Sequence, residues 1–177
     1  LQTYLGLREN LAANEGARSF IHESTRERTP LGHGHRDQIR DLPIEQIREM
    51  YRQAVRQLIN ELAGTEEFFG AGIVAIDITE DDPFTGDRTG HEDEIIGTKE
   101  KTDEYAYQWA TVQLVDNPVP LVLDARPVPK GESRKEIVEE LLDSAEDLVH
   151  VDNVLMDREF DSQHVLEMIS QRGLSYV

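Results

Sequence analysis

The sequence feature that most constrains the fold is a change in the spacing of apolar residues near residue 70. Between residues 44 and 62 they recur at intervals of three and four, which places them on one side of a helix. These residues are Ile44, Ile47, Tyr51, Val55, Leu58 and Leu62. From Ile73 to Thr79 the run IVAIDIT is almost continuously apolar, as expected of a strand buried on both faces. We therefore predict an N-terminal helical region over residues 1–64 and a sheet-containing domain over residues 70–177.

Two further segments are predicted to form an antiparallel meander with this strand. Residues 105–114 (YAYQWATVQL) are rich in aromatic and β-branched side chains, which favour strands. Residues 119–124 (VPLVLD) follow after a turn at Asn117 and Pro118. A helix is then predicted to begin at Ser133, because Ser133 and Glu136 have the spacing of a capping box.

The rest of the domain is predicted to be parallel. A short strand over residues 151–156 precedes a helix that Asp161 caps and Gly173 ends, and residues 174–177 begin another strand. The resulting order, β-β-β-α-β-α-β, predicts an α/β fold with a mixed sheet and helices on its faces. This order matches the ribonuclease H-like arrangement, in which the first and fourth of these strands are parallel neighbours.

Two aspartates interrupt apolar strands, Asp77 in IVAIDIT and Asp157 in VLMDREF. An ionised carboxylate inside such a strand costs several kcal/mol unless it is paired or bound to a metal. If the two strands are neighbours, both carboxylates can hold a pair of Mg²⁺ ions, roughly 3.5–4 Å apart, for phosphodiester cleavage and strand transfer. The alternative is that each aspartate caps its strand or pairs with an arginine such as Arg158.

Composition narrows the chemistry of such a site. The chain has no cysteine, which excludes disulfides and thiolate zinc sites and leaves carboxylates, histidines and carbonyls as ligands. Oxygen ligands suit Mg²⁺ or Mn²⁺. No apolar stretch is long enough for a membrane span and the N-terminus does not resemble a signal peptide. We therefore expect a cytoplasmic protein without a membrane partner.

The net charge of −18 is unevenly distributed along the chain. Residues 1–63 hold nine basic and nine acidic residues, whereas residues 64–177 hold nine basic and 27 acidic ones. Acid enrichment in a chain that keeps clear apolar periodicity indicates adaptation to molar salt, and hence a halophilic source such as an archaeon. At about 1 M salt the Debye length is only about 3 Å, so the acidity does not exclude a DNA partner.

The segments IVAIDIT, YAYQWATVQLV, VPLVLDARPVPKG and VLMDREFDS resemble the DDE transposases of haloarchaeal insertion sequences, over most of residues 70–177. In that family VLMDREFDS corresponds to the D-R-x-F segment around the second catalytic aspartate. The resemblance implies an enzyme of DNA transposition, in which Asp77 and Asp157 are the first and second catalytic acids and bind Mg²⁺ or Mn²⁺. It implies double-stranded DNA as partner, at the element ends and at the target, and it allows a homo-oligomer.

The third acid of the family is a glutamate on a later helix, and it has no counterpart before Val177. The expectation is therefore of an incomplete catalytic core, inactive by itself. One alternative is a non-catalytic transposase remnant that binds DNA or a partner protein, and another is a cation-binding acidic protein unrelated to DNA. A third is another ribonuclease H-like nuclease. The exonucleases of that fold need an acid two residues after the first, where this chain has Thr79.

Several basic residues are weaker candidates for DNA contacts. Arg48, Arg52 and Arg56 recur every four residues and could follow a phosphate backbone. Glu45 and Glu49 stand three residues before the first two, so local ion pairs on a solvated face are the favoured interpretation. The remaining basic candidates are Lys99, Lys101 and Arg158.

The histidines are also weak candidates for metal binding. His33 and His35 lie two apart in a glycine-containing loop, which more often leaves histidines solvated than bound to metal. His91 to Glu94 (HEDE) lies in an acidic loop and does not match the calcium-loop pattern. We expect hydration in high salt to be its main role.

Overall fold

The computed structural model describes residues 41–66, 68, 71–98, 103–118 and 120–177. The described residues belong to two compact units, divided between Val55 and Arg56. Residues 1–40 of the predicted N-terminal helical region lie outside the described residues. The helices are α1 (Ile44–Leu62), α2 (Arg134–Glu146) and α3 (Gln163–Gln171). The strands are β1 (Ala71–Glu80), β2 (Ile95–Gly97), β3 (Tyr105–Leu114), β4 (Leu121–Pro127), β5 (His150–Met156) and β6 (Ser175–Tyr176). A single 3-10 turn, Arg158–Phe160, lies between β5 and α3.

Helix α1 begins and ends where its sequence predicts. Pro43 precedes it, and the Pro43 carbonyl accepts hydrogen bonds from the next turn, a position that tolerates proline because its missing N–H is not needed there. Gly64 follows it with φ +83°, a left-handed conformation that glycine adopts without strain. Val55, in the middle of the apolar stripe, is fully buried.

The strands form one mixed sheet, described in the order β2-β3-β1-β5-β6, with β4 beside β3. Strand β3 pairs antiparallel with both β1 and β4, which confirms the predicted meander. Strand β5 pairs in parallel with β1, as predicted for the first and fourth strands, and β6 pairs in parallel with β5. The short strand β2 was not predicted. It pairs with Tyr105–Tyr107 at the start of β3, while β4 pairs with the rest of that strand.

Strand β1 is not buried on both faces as its apolar run predicts. Val74, Ile76 and Ile78 are at most 6% exposed, whereas the alternate residues are half-buried and Asp77 and Thr79 are exposed. Strand β3 shows the same alternation, with Ala106, Ala110, Val112 and Leu114 fully buried. Helix α2 contacts β1, β3, β4 and β5. A continuous apolar run therefore marks β1 correctly as a strand but does not show how deeply each face is buried.

The helices that join the parallel strands are fixed at their N-termini by serines. Ser133 and Glu136 form the predicted capping box: the Ser133 hydroxyl accepts from the Glu136 N–H at 3.2 Å, and the Glu136 carboxylate accepts from the Ser133 N–H at 3.3 Å. At α3 the predicted cap is wrong by one residue. Ser162 caps this helix instead of Asp161, because its extended backbone brings its hydroxyl within 3.3 Å of the Val165 N–H.

Two arginines connect the elements of this domain, and each pairs with more than one acid. Arg126 on β4 is 8% exposed and donates to Glu132 at 2.6 Å and to Glu140 on α2 at 2.5 Å. Arg172 follows α3 and bonds Asp143 at 2.7 Å and Glu146 at 2.6 Å, both on α2. Burial opposes the charge of Arg172, but the bonds to Asp143 and Glu146 outweigh it and raise the pKa of this guanidinium.

The helices that the structure describes include none long and apolar enough to span a membrane.

Candidate functional site

Asp77 lies inside β1 and not at its end as predicted. The strand continues through Thr79 to Glu80, and Asp77 pairs with Thr111 of β3. On its other side the parallel pairing with β5 stops one residue earlier, at Ile76 and Met156. Asp77 is exposed, as is Thr79 on the same face of the strand. The Thr79 hydroxyl, on the same face, lies 3.4 Å from one Asp77 carboxylate oxygen.

Asp157 is the first residue after β5 and caps the 3-10 turn. Its Oδ1 accepts a hydrogen bond from the Glu159 N–H at 3.3 Å, and its main-chain carbonyl accepts from the Phe160 N–H at 3.1 Å. Phe160 is fully buried and anchors the turn in the core. Asp157 thus caps the 3-10 turn, whereas the alternative considered above was that it caps its strand. Its alternative partner, Arg158, forms no ion pair with it among the described residues.

The register brings these two aspartates to neighbouring positions. Each is the residue that follows the last β1–β5 pair, Ile76 with Met156, and adjacent strands lie roughly 5 Å apart. Both side chains are exposed. Strands β1, β4 and β5 run in the same direction, so both positions lie toward the carboxyl ends of the parallel strands. In open α/β sheets, ligands bind at this edge.

The donor set fits a hard divalent cation. Two neighbouring carboxylates offer only oxygen ligands, and Mg²⁺ commonly takes one or two carboxylates while keeping several waters. Within the described parts of the chain no group of three or more potential metal ligands is gathered. Next to Asp77 across the sheet lie Thr111 and then Ala125, neither of them acidic. The residues beside Asp77 on β3 and β4 therefore supply no further acidic ligand.

One buried carboxylate, Asp124, does not belong to this site. It is fully buried and pairs with Val112, which in turn pairs with Ile76. These residues share the buried face of the sheet, whereas Asp77 lies on the opposite face. The Ala125 N–H donates to Asp124 at 2.8 Å. Asp124 is therefore a structural residue of β4.

An ion pair between α2 and the 3-10 turn that follows Asp157 was not predicted from the sequence. Arg134, the first residue of α2, places its guanidinium 3.5 Å from the Glu159 carboxylate. The side chains are 32% and 17% exposed. The residues are 25 positions apart, and no local spacing pattern signals such a pair. The one available signal was a basic residue in the first turn of a helix, where the helix dipole disfavours it.

The structure describes four of the six predicted DNA-contacting residues. Arg48 is 5% exposed and pairs with Glu45 at 3.3 Å, and Arg52 pairs with Glu49 at 3.0 Å. The local ion pairs favoured by the sequence are thus present, although Arg48 is not on a solvated face. Arg56 is exposed, as is Arg158 beside Asp157. Lys99 and Lys101, like His33 and His35, lie outside the described residues.

The acidic loop between β1 and β2 has its own local contacts. Arg88 stacks over the Tyr105 ring at 3.3 Å from its centroid and donates to the Ile95 carbonyl at 3.1 Å. His91 lies 3.2 Å from Glu94, within the HEDE cluster itself. The side-chain hydrogen bond from Thr89, reinforced by the Thr89 N–H, lowers the pKa of Asp87. These contacts give the loop a defined structure but do not gather ligands around a cation.

Comparison with known proteins gives no independent identification, because the chain matches no protein-family model and no curated protein sequence.

Proposed function

We propose that this protein has the catalytic core of a DDE transposase, with a ribonuclease H-like fold, and that Asp77 and Asp157 are two of its metal-binding acids. The reaction of such a core is metal-dependent cleavage and joining of DNA at the ends of an insertion element, and it needs a third acid besides these two. The supporting observation is the β1–β5 register, which makes two exposed carboxylates neighbours although they are far apart in sequence.

The strand order supports the fold half of this proposal. If the short β2 is set aside, the sheet reads β4-β3-β1-β5-β6, a meander followed by parallel strands. This is the order that the ribonuclease H-like arrangement requires. Its two acids belong to the central parallel pair, and Asp77 and Asp157 belong to β1 and to the residue after β5.

The chemistry follows from the ligands. When bound, divalent ions activate the attacking oxygen and stabilise the oxygen that leaves phosphorus. The chain's own residues hold and orient those ions at the edge of the sheet. The exposure of both carboxylates leaves room for a DNA phosphate, which would supply a further oxygen ligand to Mg²⁺.

A proofreading-type exonuclease of the same fold is less well supported. Such an enzyme needs an acid two residues after the first one, and Thr79 occupies that position. The Thr79 hydroxyl lies 3.4 Å from the Asp77 carboxylate, so this side chain can donate to Asp77 but cannot add a negative ligand. The threonine favours a transposase over an exonuclease.

The proposal is tested by titrating the protein with MnCl₂ in a calorimeter. We expect Mn²⁺ binding in the wild type, and we expect Asp77→Asn and Asp157→Asn each to weaken it by about a factor of ten or more, since each removes a charged ligand. Asp152→Asn is the matched control: Asp152 is an exposed acid on β5, 3.4 Å from His150, and its loss should leave the affinity unchanged.

The titration should be repeated in dilute and in molar KCl, because exposed acids bind cations loosely in dilute salt. Uptake of Mn²⁺ that persists in molar KCl and depends on both Asp77 and Asp157 supports the proposal. Binding that survives the loss of both aspartates would assign the cation to the acidic loop instead. A wild type that binds no Mn²⁺ in either salt would rule the metal site out.

A further inference from the structure

We infer that the ion pair between Arg134 and Glu159 positions Asp157 for metal binding, so that the start of α2 controls the geometry of the proposed site. The inference rests on the function proposed above. It assigns Arg134 and Glu159 as positioning residues, since their side chains pair with each other and act on Asp157 through the main chain of Glu159.

Glu159 connects the ion pair to the aspartate. Its N–H donates to Asp157 Oδ1 at 3.3 Å, while its side chain is held 3.5 Å from the Arg134 guanidinium. The bond from the N–H occupies one oxygen of Asp157 and sets the plane of the carboxylate. This bond uses Oδ1, and the second carboxylate oxygen remains available as a ligand. Whatever fixes the main chain of Glu159 therefore fixes the direction in which Asp157 presents its ligand oxygen.

Local preferences do not account for Arg134. It is the first residue of α2, where the positive end of the helix dipole disfavours a cation. Ser133 and Glu136 already cap this helix without it. The negative charge of the Glu159 carboxylate offsets the positive charges of Arg134 and of the helix N-terminus. Because the Glu159 side chain is only 17% exposed, water screens this ion pair less than it screens a pair on the open surface.

The topology explains why this contact can act on the site. Helix α2 follows β4, and the 3-10 turn follows β5, so both begin at the edge of the sheet where the parallel strands end. Phe160 fixes the far side of the turn because it is fully buried. The turn is thus held by the core at Phe160 and by α2 at Glu159, and Asp157 lies at its start.

The test uses the full chain and compares Arg134→Gln with Arg134→Lys. We expect Arg134→Gln to weaken Mn²⁺ binding about three- to tenfold, less than the loss of a direct partner of a ligand because it acts through the main chain. We expect Arg134→Lys to restore most of the affinity. Arg172→Gln is the matched control, because it removes an arginine that pairs with α2 at Asp143 and Glu146, away from the turn.

A second measurement does not depend on metal. Hydrogen exchange of the amides at 159–161 should be about two- to fivefold faster in Arg134→Gln, and unchanged in Arg172→Gln. Exchange that stays at the wild-type rate overturns the inference, and so does faster exchange with unchanged Mn²⁺ affinity. Equal weakening of Mn²⁺ binding by Arg172→Gln overturns it as well. In each of these outcomes the proposed function still stands if the wild type binds Mn²⁺. A wild type that binds no Mn²⁺ overturns both the proposed function and the inference about Arg134 and Glu159.

Discussion

At the scale of single residues, the closest steric constraint in the sheet is at Gly72. This residue has φ +154° and lies where the pairing of β1 with β5 shifts by one residue. A Cβ atom there would lie 2.1 Å from Asp116 Oδ1, which is closer than any real contact. Asp116 is itself held beside Gly72, since the Asn117 side chain donates to it at 3.3 Å. The register shift between β1 and β5 thus occurs at a glycine, where no side chain meets Asp116.

We expect Gly72→Ala to lower the free energy of unfolding by about 1–3 kcal/mol, through backbone strain and the clash with Asp116. Urea unfolding followed by circular dichroism measures it. Gly97→Ala is the control, because a Cβ at Gly97 in β2 meets nothing within 4 Å. The double variant Gly72→Ala/Asp116→Ala should recover part of the loss. If it is as unstable as Gly72→Ala, the clash is not the cause.

At the scale of elements, α2 and α3 have different N-terminal caps. Helix α2 has a reciprocal capping box in which the serine hydroxyl also donates to the Glu136 carboxylate at 2.9 Å. Helix α3 has a single hydroxyl bond from Ser162 to the Val165 N–H, and its third residue is a valine that cannot return a bond. Both helices join parallel strands, so both caps stabilise the half of the sheet that carries Asp157.

We expect Ser133→Ala to destabilise the protein by about 1 kcal/mol, since it removes the hydroxyl acceptor and disrupts the reciprocal bond. Ser162→Ala should cost less, because only one bond is lost. Thermal or urea unfolding of both variants checks the order. A larger loss for Ser162→Ala would show that the capping box adds nothing beyond a single hydroxyl bond.

The bounds and caps of several helices and strands were predictable from the sequence. The bounds of α1 and β3 and the cap of α2 were predicted within a few residues from the spacing of apolar and capping residues. Strand β2 was missed because three residues carry too little periodicity, and its pairing depends on β3. The cap of α3 was placed one residue early because Asp161 and Ser162 are both good caps, and only the backbone conformation distinguishes them.

At the scale of the whole molecule, the acid excess predicts that the stability of the fold depends on salt. The net charge is −18, and the cations that hold α2 are shared among several acids, as at Arg126 and Arg172. Repulsion among the remaining acids opposes the compact state until salt screens it. Adaptation to molar salt remains a prediction.

We expect the unfolding midpoint in urea to rise from 0.1 M to 1 M KCl, as screening shortens the range of repulsion from about 10 Å to about 3 Å. A variant with Asp82→Asn and Asp93→Asn, two exposed acids of the loop between β1 and β2, should show a smaller rise. Sucrose is the control, because it stabilises folded proteins without screening charge. A rise in the midpoint with KCl that sucrose reproduces would come from a general effect on burial and not from charge screening. A midpoint that does not change with KCl would contradict the expectation.

The sequence by itself determined where the longer strands and helices form and which two aspartates interrupt apolar segments, because periodicity and capping act over a few neighbouring residues. Only the tertiary structure decided the register that makes Asp77 and Asp157 neighbours, the exposure of Asp77, and the contact of Arg134 with Glu159. These features depend on pairing between distant segments. A strand's own sequence limits such pairing without specifying which residue of the partner it meets, or where that partner ends.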